Sequence, residues 1–110
     1  MASSKEYLNF VLDQLSDLEE ITCRFMMGEY ILYYRGRIFG GIYDDRLLVK
    51  DVPAARRLMP DAPSELPYEG AKEMLSVTDI DNREFLAELV RGMYDELPEP
   101  KKKKTKSAGN

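Results

Sequence analysis

The stretch "FMMGEYILYYRGRIFGGIYDDRLLVK", residues 25–50, decides the fold because it alternates strand-forming segments with turn residues. The segments "EYILYY" and "RIFGGIY" are rich in β-branched and aromatic residues, and Arg35-Gly36 between them predicts a two-residue hairpin turn. Asp44-Asp45 predicts a second tight turn before "RLLVK", since Asp tolerates the left-handed backbone that such turns demand. The stretch therefore predicts an antiparallel meander.

The two turns set which side chains share a face of this sheet. A turn at residues 35–36 pairs Tyr33 with Ile38 and Leu32 with Phe39, and side chains that lie opposite each other point to the same side. One face then collects Ile31, Tyr33, Ile38, Ile42, Leu47 and Val49. The other face collects Tyr30, Leu32, Tyr34, Phe39, Tyr43 and Leu48. We expect the first, more aliphatic face to form the core.

A further strand precedes the meander. In "EITCRF", residues 20–25, apolar side chains alternate with polar ones, which is typical of a half-buried strand. A simple turn at Gly28-Glu29 would put Ile21, Cys23 and Phe25 on the wrong face. A β-bulge there, with Gly28 at positive φ, would bring them onto the aliphatic side.

Helical segments flank the strands. The first runs from Ser3 to about residue 17, with Ser3 and Glu6 spaced as a capping box and an apolar stripe of Leu8, Val11, Leu12, Leu15 and Leu18. A short helix over residues 51–59 and a last helix capped by Asp81 and Glu84 follow. Between those two helices, "LPYE" and "EMLSVT" predict a final hairpin around residues 69–71.

Charge and composition divide the chain into a domain, residues 1–98, and a predicted disordered lysine-rich tail, residues 99–110. Residues 1–100 carry 11 Lys and Arg against 20 Asp and Glu, a formal charge of −9, and five lysines in residues 101–110 bring the total to −4. The acidic body argues against a broad nucleic-acid face, so only weak, nonspecific nucleic-acid binding through the tail is expected. Without an apolar run of membrane-spanning length, we expect a cytoplasmic protein with no membrane partner.

The order of these motifs resembles the TfoX/Sxy amino-terminal domain family. The resemblance rests on Arg24-Phe25-Met26-Met27-Gly28-Glu29-Tyr30, then Gly36, Phe39, the turn at 44–45, "LLVK" at 47–50, the "PYEG" stretch and the closing helix. It covers roughly residues 5–98. The sequence departs from the family pattern at Met27, where Phe is usual, and at Glu29, where a small residue is usual.

The resemblance implies an α+β fold of two layers, α-β(3)-α-β(2)-α, with helices on one face of an antiparallel sheet as in type III secretion chaperones. "RLLVK" is then either an extra strand or the continuation of a long one. The resemblance also implies a regulatory role, because the founding members regulate natural competence with the cAMP receptor protein at promoters. Those proteins carry a second, helical domain, whereas we expect a stand-alone domain here.

The residues that could carry chemistry do not predict an enzyme. The chain has no histidine, the commonest general base and metal ligand. Cys23 is expected to be a core residue rather than a nucleophile, and Asp44-Asp45 a turn rather than a cation site. Glycines 28, 36, 40 and 41 lie between and within strands, where Gly40-Gly41 indicates a bulge or a close approach rather than a phosphate loop. Arg56-Arg57 is more typical of a solvated helix face than of a phosphate site. We predict no catalytic, cofactor or metal residues.

The face opposite the core is the predicted site. Helices cover one side of a two-layer sheet, so the other side meets water or a partner. We expect a small regulatory protein-interaction module whose partner is another protein or a second copy. The alternatives are a small-molecule or enzymatic domain of unknown substrate, and coverage of this face by arginine and lysine stems or the carboxy-terminal segment. The predicted partner-binding residues are Tyr30, Leu32, Tyr34, Phe39, Tyr43 and Leu48.

Overall fold

A computed structural model describes residues 4–26 and 28–98, which form one six-stranded antiparallel sheet with its helices on one face. The helices are α1 (Lys5–Gln14), α2 (Pro53–Leu58) and α3 (Arg83–Met93), with a short 3₁₀ helix at Tyr94–Glu96. The strands are β1 (Ile21–Met26), β2 (Glu29–Tyr34), β3 (Arg37–Ile42), β4 (Leu47–Val49), β5 (Ser64–Glu65) and β6 (Met74–Ser76). In space the strands follow the order β1-β2-β3-β4-β6-β5. The predicted α+β two-layer class is confirmed, and "RLLVK" supplies a separate strand, β4.

Both predicted two-residue turns are confirmed. Arg35 and Gly36 have φ values of 53° and 83°, and Asp44 and Asp45 have 54° and 57°. Two consecutive residues at positive φ are the signature of a type I′ turn, whose twist suits the flanking antiparallel strands. The strand that follows each turn therefore returns directly alongside the one before it.

The core lies between the helical layer and one side of the sheet. The helices contribute a buried apolar stripe that comprises Leu8, Val11, Leu15, Leu86, Leu89, Val90 and Met93. The sheet meets this stripe with Leu32, Tyr34, Phe39, Ile42, Leu47, Val49 and Leu75. Closure of this one interface against water is the main source of stability in a two-layer domain of this kind.

The amino-terminal caps of α1 and α3 each lie one residue later than predicted. Ser4 caps α1, since its hydroxyl accepts a hydrogen bond from the Tyr7 amide at 3.1 Å; the predicted cap, Ser3, lies outside the described residues. Asn82 caps α3, because its side-chain oxygen accepts from the Phe85 amide at 3.1 Å, so the prediction of Asp81 is wrong. The local sequence offers several capping side chains in a row, and only the backbone conformation selects among them.

Replacing Asn82 by alanine is expected to lower the free energy of unfolding by about 1 kcal/mol, because it leaves an α3 amide without its side-chain acceptor. The matched change at the neighbouring exposed residue, Asp81→Ala, is expected to stay within about 0.5 kcal/mol of wild type. Urea unfolding of both variants gives the comparison. A larger loss at residue 81 than at residue 82 would place the cap where the sequence pattern had put it.

The final hairpin is centred near residues 69–71 as predicted, but its strands are shorter and the first of them lies earlier in the chain. β5 is confined to Ser64–Glu65, so the prediction of a strand at "LPYE" is wrong, whereas β6 lies within "EMLSVT" as expected. Pro67 and the positive φ of Gly70, 88°, are incompatible with regular pairing between these strands. Residues 66–73 therefore form a loop, which we call the 66–73 loop.

Candidate functional site

Strand β2 shows which side of the sheet carries the core. Leu32 and Tyr34 are buried against the helices, whereas Ile31 and Tyr33, on the opposite side, are only half-buried. The predicted assignment of the two faces is therefore wrong for this strand. Tyr30, on the helix side with Leu32, is half-buried and packs against the edge of the core.

A single extra residue in β3 explains the reversal. The register runs as predicted at Tyr33–Ile38 and then shifts, so that Leu32 lies opposite Gly40 and leaves Phe39 as the unpaired residue of a β-bulge. Phe39 is fully buried in the core beneath the helices. The expected bulge at Gly28-Glu29 is absent, since Met26 pairs directly with Glu29 across a two-residue loop.

Two of the predicted partner residues lie on the helix-free side but are buried there. The ring of Tyr43 packs directly against the backbone of Gly41. A Cβ at Gly41 would lie 2.7 Å from Cε2 of this ring, so only glycine leaves room for it. The ring of Tyr68, from the 66–73 loop, lies 6.5 Å from that of Tyr43. Burial, with Tyr68 and Glu29 adding to it, raises the pKa of Tyr43. Leu48, opposite Gly41 on β4, is likewise fully buried.

Of the six predicted partner-binding residues, five are thus buried: Leu32, Tyr34, Phe39, Tyr43 and Leu48. The physical reason is that both faces of the sheet are apolar, so the alternation of side chains could not show which face the helices cover. The accessible apolar side chains on the helix-free side come instead from the residues predicted to be core, notably Ile31, Tyr33 and Ile38.

These side chains line a depression of about 870 Å³ on the helix-free face, which we call the outer groove. Its apolar lining comprises Met26, Ile31, Tyr33, Ile38, Tyr43, Val52, Pro67, Tyr68, Ala71, Met74 and Pro98. Its charged lining comprises Lys50, Asp51, Lys72, Glu73 and Glu96. The strands supply the floor, and the 66–73 loop and the carboxy-terminal segment supply walls. Only tertiary structure brings these distant parts of the sequence together.

The carboxy-terminal wall is held by Arg37. Its guanidinium donates hydrogen bonds to the carbonyl oxygens of Tyr94, at 3.1 Å, and Leu97, at 3.3 Å, and stacks 4.4 Å from the centre of the Tyr94 ring. Tyr94 also packs edge-on against Tyr34 at 5.4 Å. With Leu97 buried, the described chain ends at Pro98 beside the outer groove. The tail predicted for residues 99–110 lies outside the described residues.

The other chemical candidates are structural or exposed. Cys23 is exposed on β1, so its prediction as a buried core residue is wrong; β1 is one of the two edge strands, and all of its residues after Ile21 are exposed. Asp44-Asp45 forms a turn, as predicted, and Asp45 accepts a hydrogen bond from the Ser4 amide at 2.8 Å. Arg56 makes an ion pair with Asp51. Within residues 4–26 and 28–98, no cluster of three or more metal-ligating side chains occurs.

No helix in the described part is long and apolar enough to cross a membrane.

Comparison with known proteins agrees with this architecture. The family model of the TfoX N-terminal domain matches residues 13–96. The chain belongs to this family. It is also 32% identical to an uncharacterized 12.7 kDa protein in the trpE 5′ region of Spirochaeta aurantia, over 108 residues that cover 97% of this chain and 94% of that protein. No solved structure matches the chain significantly. Neither match indicates an enzyme family.

Proposed function

We propose that this TfoX N-terminal-domain protein is a small regulatory protein-interaction module and that it binds its partner through the outer groove. The observation that carries the proposal is the apolar surface left on the helix-free face. Around the groove, Met26, Ile38 and Tyr68 expose 43%, 38% and 64% of their surface. Monomeric proteins rarely leave a contiguous apolar patch of this kind unused.

The composition of the groove suits a protein partner. Tyrosine and methionine are enriched at protein interfaces, because they offer large contact area and adapt to irregular partners. Tyr33, Tyr68 and Met74 supply such surface from three separate elements. Burial of exposed apolar area favours association by a free energy of about 25 cal/mol per Å², which is partly offset by the entropic cost of association. A reversible contact is therefore expected.

The regulatory part of the proposal is supported by family membership. The founding TfoX/Sxy members regulate natural competence together with the cAMP receptor protein at promoters. The match to residues 13–96 comprises the domain alone, so a regulatory role here would act through protein contacts made by that domain. The cytoplasm is the compartment in which such contacts would occur.

The exposed groove residue Ile38 provides the test. Cytosolic extract from the source organism is passed over immobilised wild-type protein, over Ile38→Asp and over the control Phe10→Asp. Phe10 lies on α1 and exposes 40% of its surface, close to the 38% of Ile38, but does not line the groove. We expect the wild type and the control to retain the same protein. The amount retained on Ile38→Asp should be at least about tenfold lower, since the new carboxylate would be buried at the contact.

Thermal unfolding of both variants confirms that they remain folded before the capture is compared. Equal retention by all three proteins would remove the outer groove as the docking site, and no specific retention by wild type would count against a protein partner. Stabilisation of wild type by several degrees with a metabolite, lost in Ile38→Asp, would assign the groove to a small molecule instead.

A further inference from the structure

The two edges of the sheet differ in how well they are protected against pairing with another strand. β5 forms one edge, and it comprises only Ser64–Glu65 between Pro63 and Pro67. β1 forms the other edge with the six residues Ile21–Met26, which include no proline and pair with β2 without a bulge. Short strands, prolines, bulges and charged side chains keep sheet edges from associating. Of these devices, β1 has a single charge, Arg24.

The backbone of β1 presents a regular set of hydrogen-bonding groups at its outer edge. The Arg35 amide donates to the Glu20 carbonyl oxygen at 3.1 Å, which fixes the direction of the hydrogen bonds along the ladder. Because these directions alternate along an antiparallel strand, the even-numbered residues of β1 bond to β2. The N–H and C=O groups of Ile21, Cys23 and Phe25 therefore point away from the sheet. Within residues 4–26 and 28–98, no strand pairs with them.

The side chains of the same three residues form an apolar row on the helix side of the sheet, where they lie opposite the helix-facing residues of β2. Phe25 exposes 61% of its surface, although its ring lies 5.1 Å from that of Tyr30. Cys23 is exposed as well, and Ile21 is half-buried. A strand added beside β1 would therefore gain backbone hydrogen bonds and cover apolar side chains at the same time.

A second copy of β1 is complementary to this edge. Antiparallel pairing about a twofold axis at Cys23 sets Ile21 of each copy opposite Phe25 of the other and allows about six backbone hydrogen bonds. Glu19 and Glu20 are exposed just before the strand, so the same pairing brings the acidic start of one copy close to Arg24 of the other. Apolar residues thus meet apolar ones, and opposite charges lie side by side.

The other registers that use the outward-pointing backbone groups are poorer. An axis at Arg24 would set this residue directly opposite its own copy, and like charges in that position are destabilising. An axis at Thr22 would draw Glu20 into the paired segment, although its φ of 63° ends the extended backbone there. The register with Cys23 on the axis avoids both conflicts.

From these features we propose that β1 pairs antiparallel with β1 of a second copy, which joins two six-stranded sheets into one. One six-residue strand from each copy makes a small interface, so the dimer is reversible. The twofold axis of such a pair is perpendicular to the sheet. Both helical layers then lie on one side and both outer grooves on the other, so a partner with two binding segments would meet two grooves on one surface. The pairing itself does not depend on the proposed function.

Cys23 gives a direct test of the register, because it is the one cysteine in the sequence. In the proposed pair the two Cα atoms at this position lie about 5.5 Å apart, so a bis-maleimide with a short spacer should join most of the full-length protein into dimers. The control Cys23→Ser/Ser64→Cys moves the thiol to an exposed position on β5, at the opposite edge of the sheet. Only traces of dimer are expected from it, and equal cross-linking of the two proteins would overturn the proposal.

Sedimentation at several concentrations measures the dissociation constant of the dimer. Phe25→Glu should raise it at least about tenfold, because the new carboxylate replaces an apolar contact and lies near Glu19 of the other copy. The control Tyr68→Glu changes an aromatic side chain of similar exposure, 64%, beside the outer groove and should leave the dissociation constant within about twofold of wild type. Thermal unfolding verifies that both variants are folded.

Two results of the sedimentation experiment would overturn the proposal. The first is a wild-type protein that stays monomeric at every concentration, which would leave the β1 edge to a strand of another protein. The second is a dimer that Tyr68→Glu weakens and Phe25→Glu does not, which would place the contact at the outer groove. Loss of the dimer in Phe25→Glu, together with cross-linking at residue 23 and not at residue 64, would support it.

Discussion

Replacing Phe39 by alanine is expected to lower the free energy of unfolding by about 3–5 kcal/mol, the usual loss for a fully buried phenylalanine. The β-bulge turns this side chain into the core, where its removal leaves a cavity between the sheet and the helices. Because small domains are stable by only about 5–15 kcal/mol, the variant should be marginally folded. Urea unfolding monitored by circular dichroism measures the loss.

The neighbouring residue is the matched control. Ile38→Ala removes a side chain of similar character that lies on the outer groove and is 38% exposed, so a loss of about 1 kcal/mol or less is expected. An unshifted β2–β3 register predicts the reverse order of effects. Comparable losses in the two variants, or a larger loss at residue 38, would refute the position of the bulge.

Gly40→Ala is expected to destabilise the protein by about 3 kcal/mol or more. A Cβ at this position would lie 2.2 Å from the Leu48 carbonyl oxygen and 2.9 Å from Cα of Val49, and both atoms belong to the backbone of β4. Backbone cannot move aside as a side chain can, so β3 and β4 would separate where the sheet is most buried. Thermal and urea unfolding together measure the effect.

A second glycine separates this steric effect from the general effect of adding a methyl group. At Gly92, in the exposed last turn of α3, the nearest atom to a new Cβ is Cδ1 of Leu58 at 3.6 Å, an ordinary contact. Gly92→Ala should therefore stabilise the helix by up to about 1 kcal/mol. If Gly40→Ala were also neutral or stabilising, the close approach of β3 and β4 would be contradicted.

Local features of the sequence were sufficient for the order of elements. The turns at 35–36 and 44–45 follow from residues that accept positive φ, and the helices follow from apolar side chains at helical spacing. The family could be inferred from the order of the motifs, and the match to residues 13–96 confirms it. Such features depend on neighbours in the chain, so no tertiary information was needed.

The exposure of β1 could not be predicted from local sequence features. Its alternating pattern correctly predicted a strand, yet Cys23 and Phe25 are exposed. The burial of a strand depends on whether it lies at the edge of the sheet and on how far the helices extend across the sheet. Neither property can be read from the sequence of the strand alone. The Asn82 cap was missed for a related reason, because adjacent Asp and Asn residues can both cap a helix and the backbone decides between them.

The location of the outer groove was decided by tertiary structure alone. Both faces of the meander are apolar, and side chains alternate with a period of two, so one unpaired residue exchanges the faces beyond it. Gly40-Gly41 signalled a bulge or close approach, but not that Phe39 would be the unpaired residue. The sequence by itself determined a two-layer sheet with one uncovered face. The packing of the helices, the 66–73 loop and the segment ending at Pro98 decided which face that is, because these contacts join residues far apart in the chain.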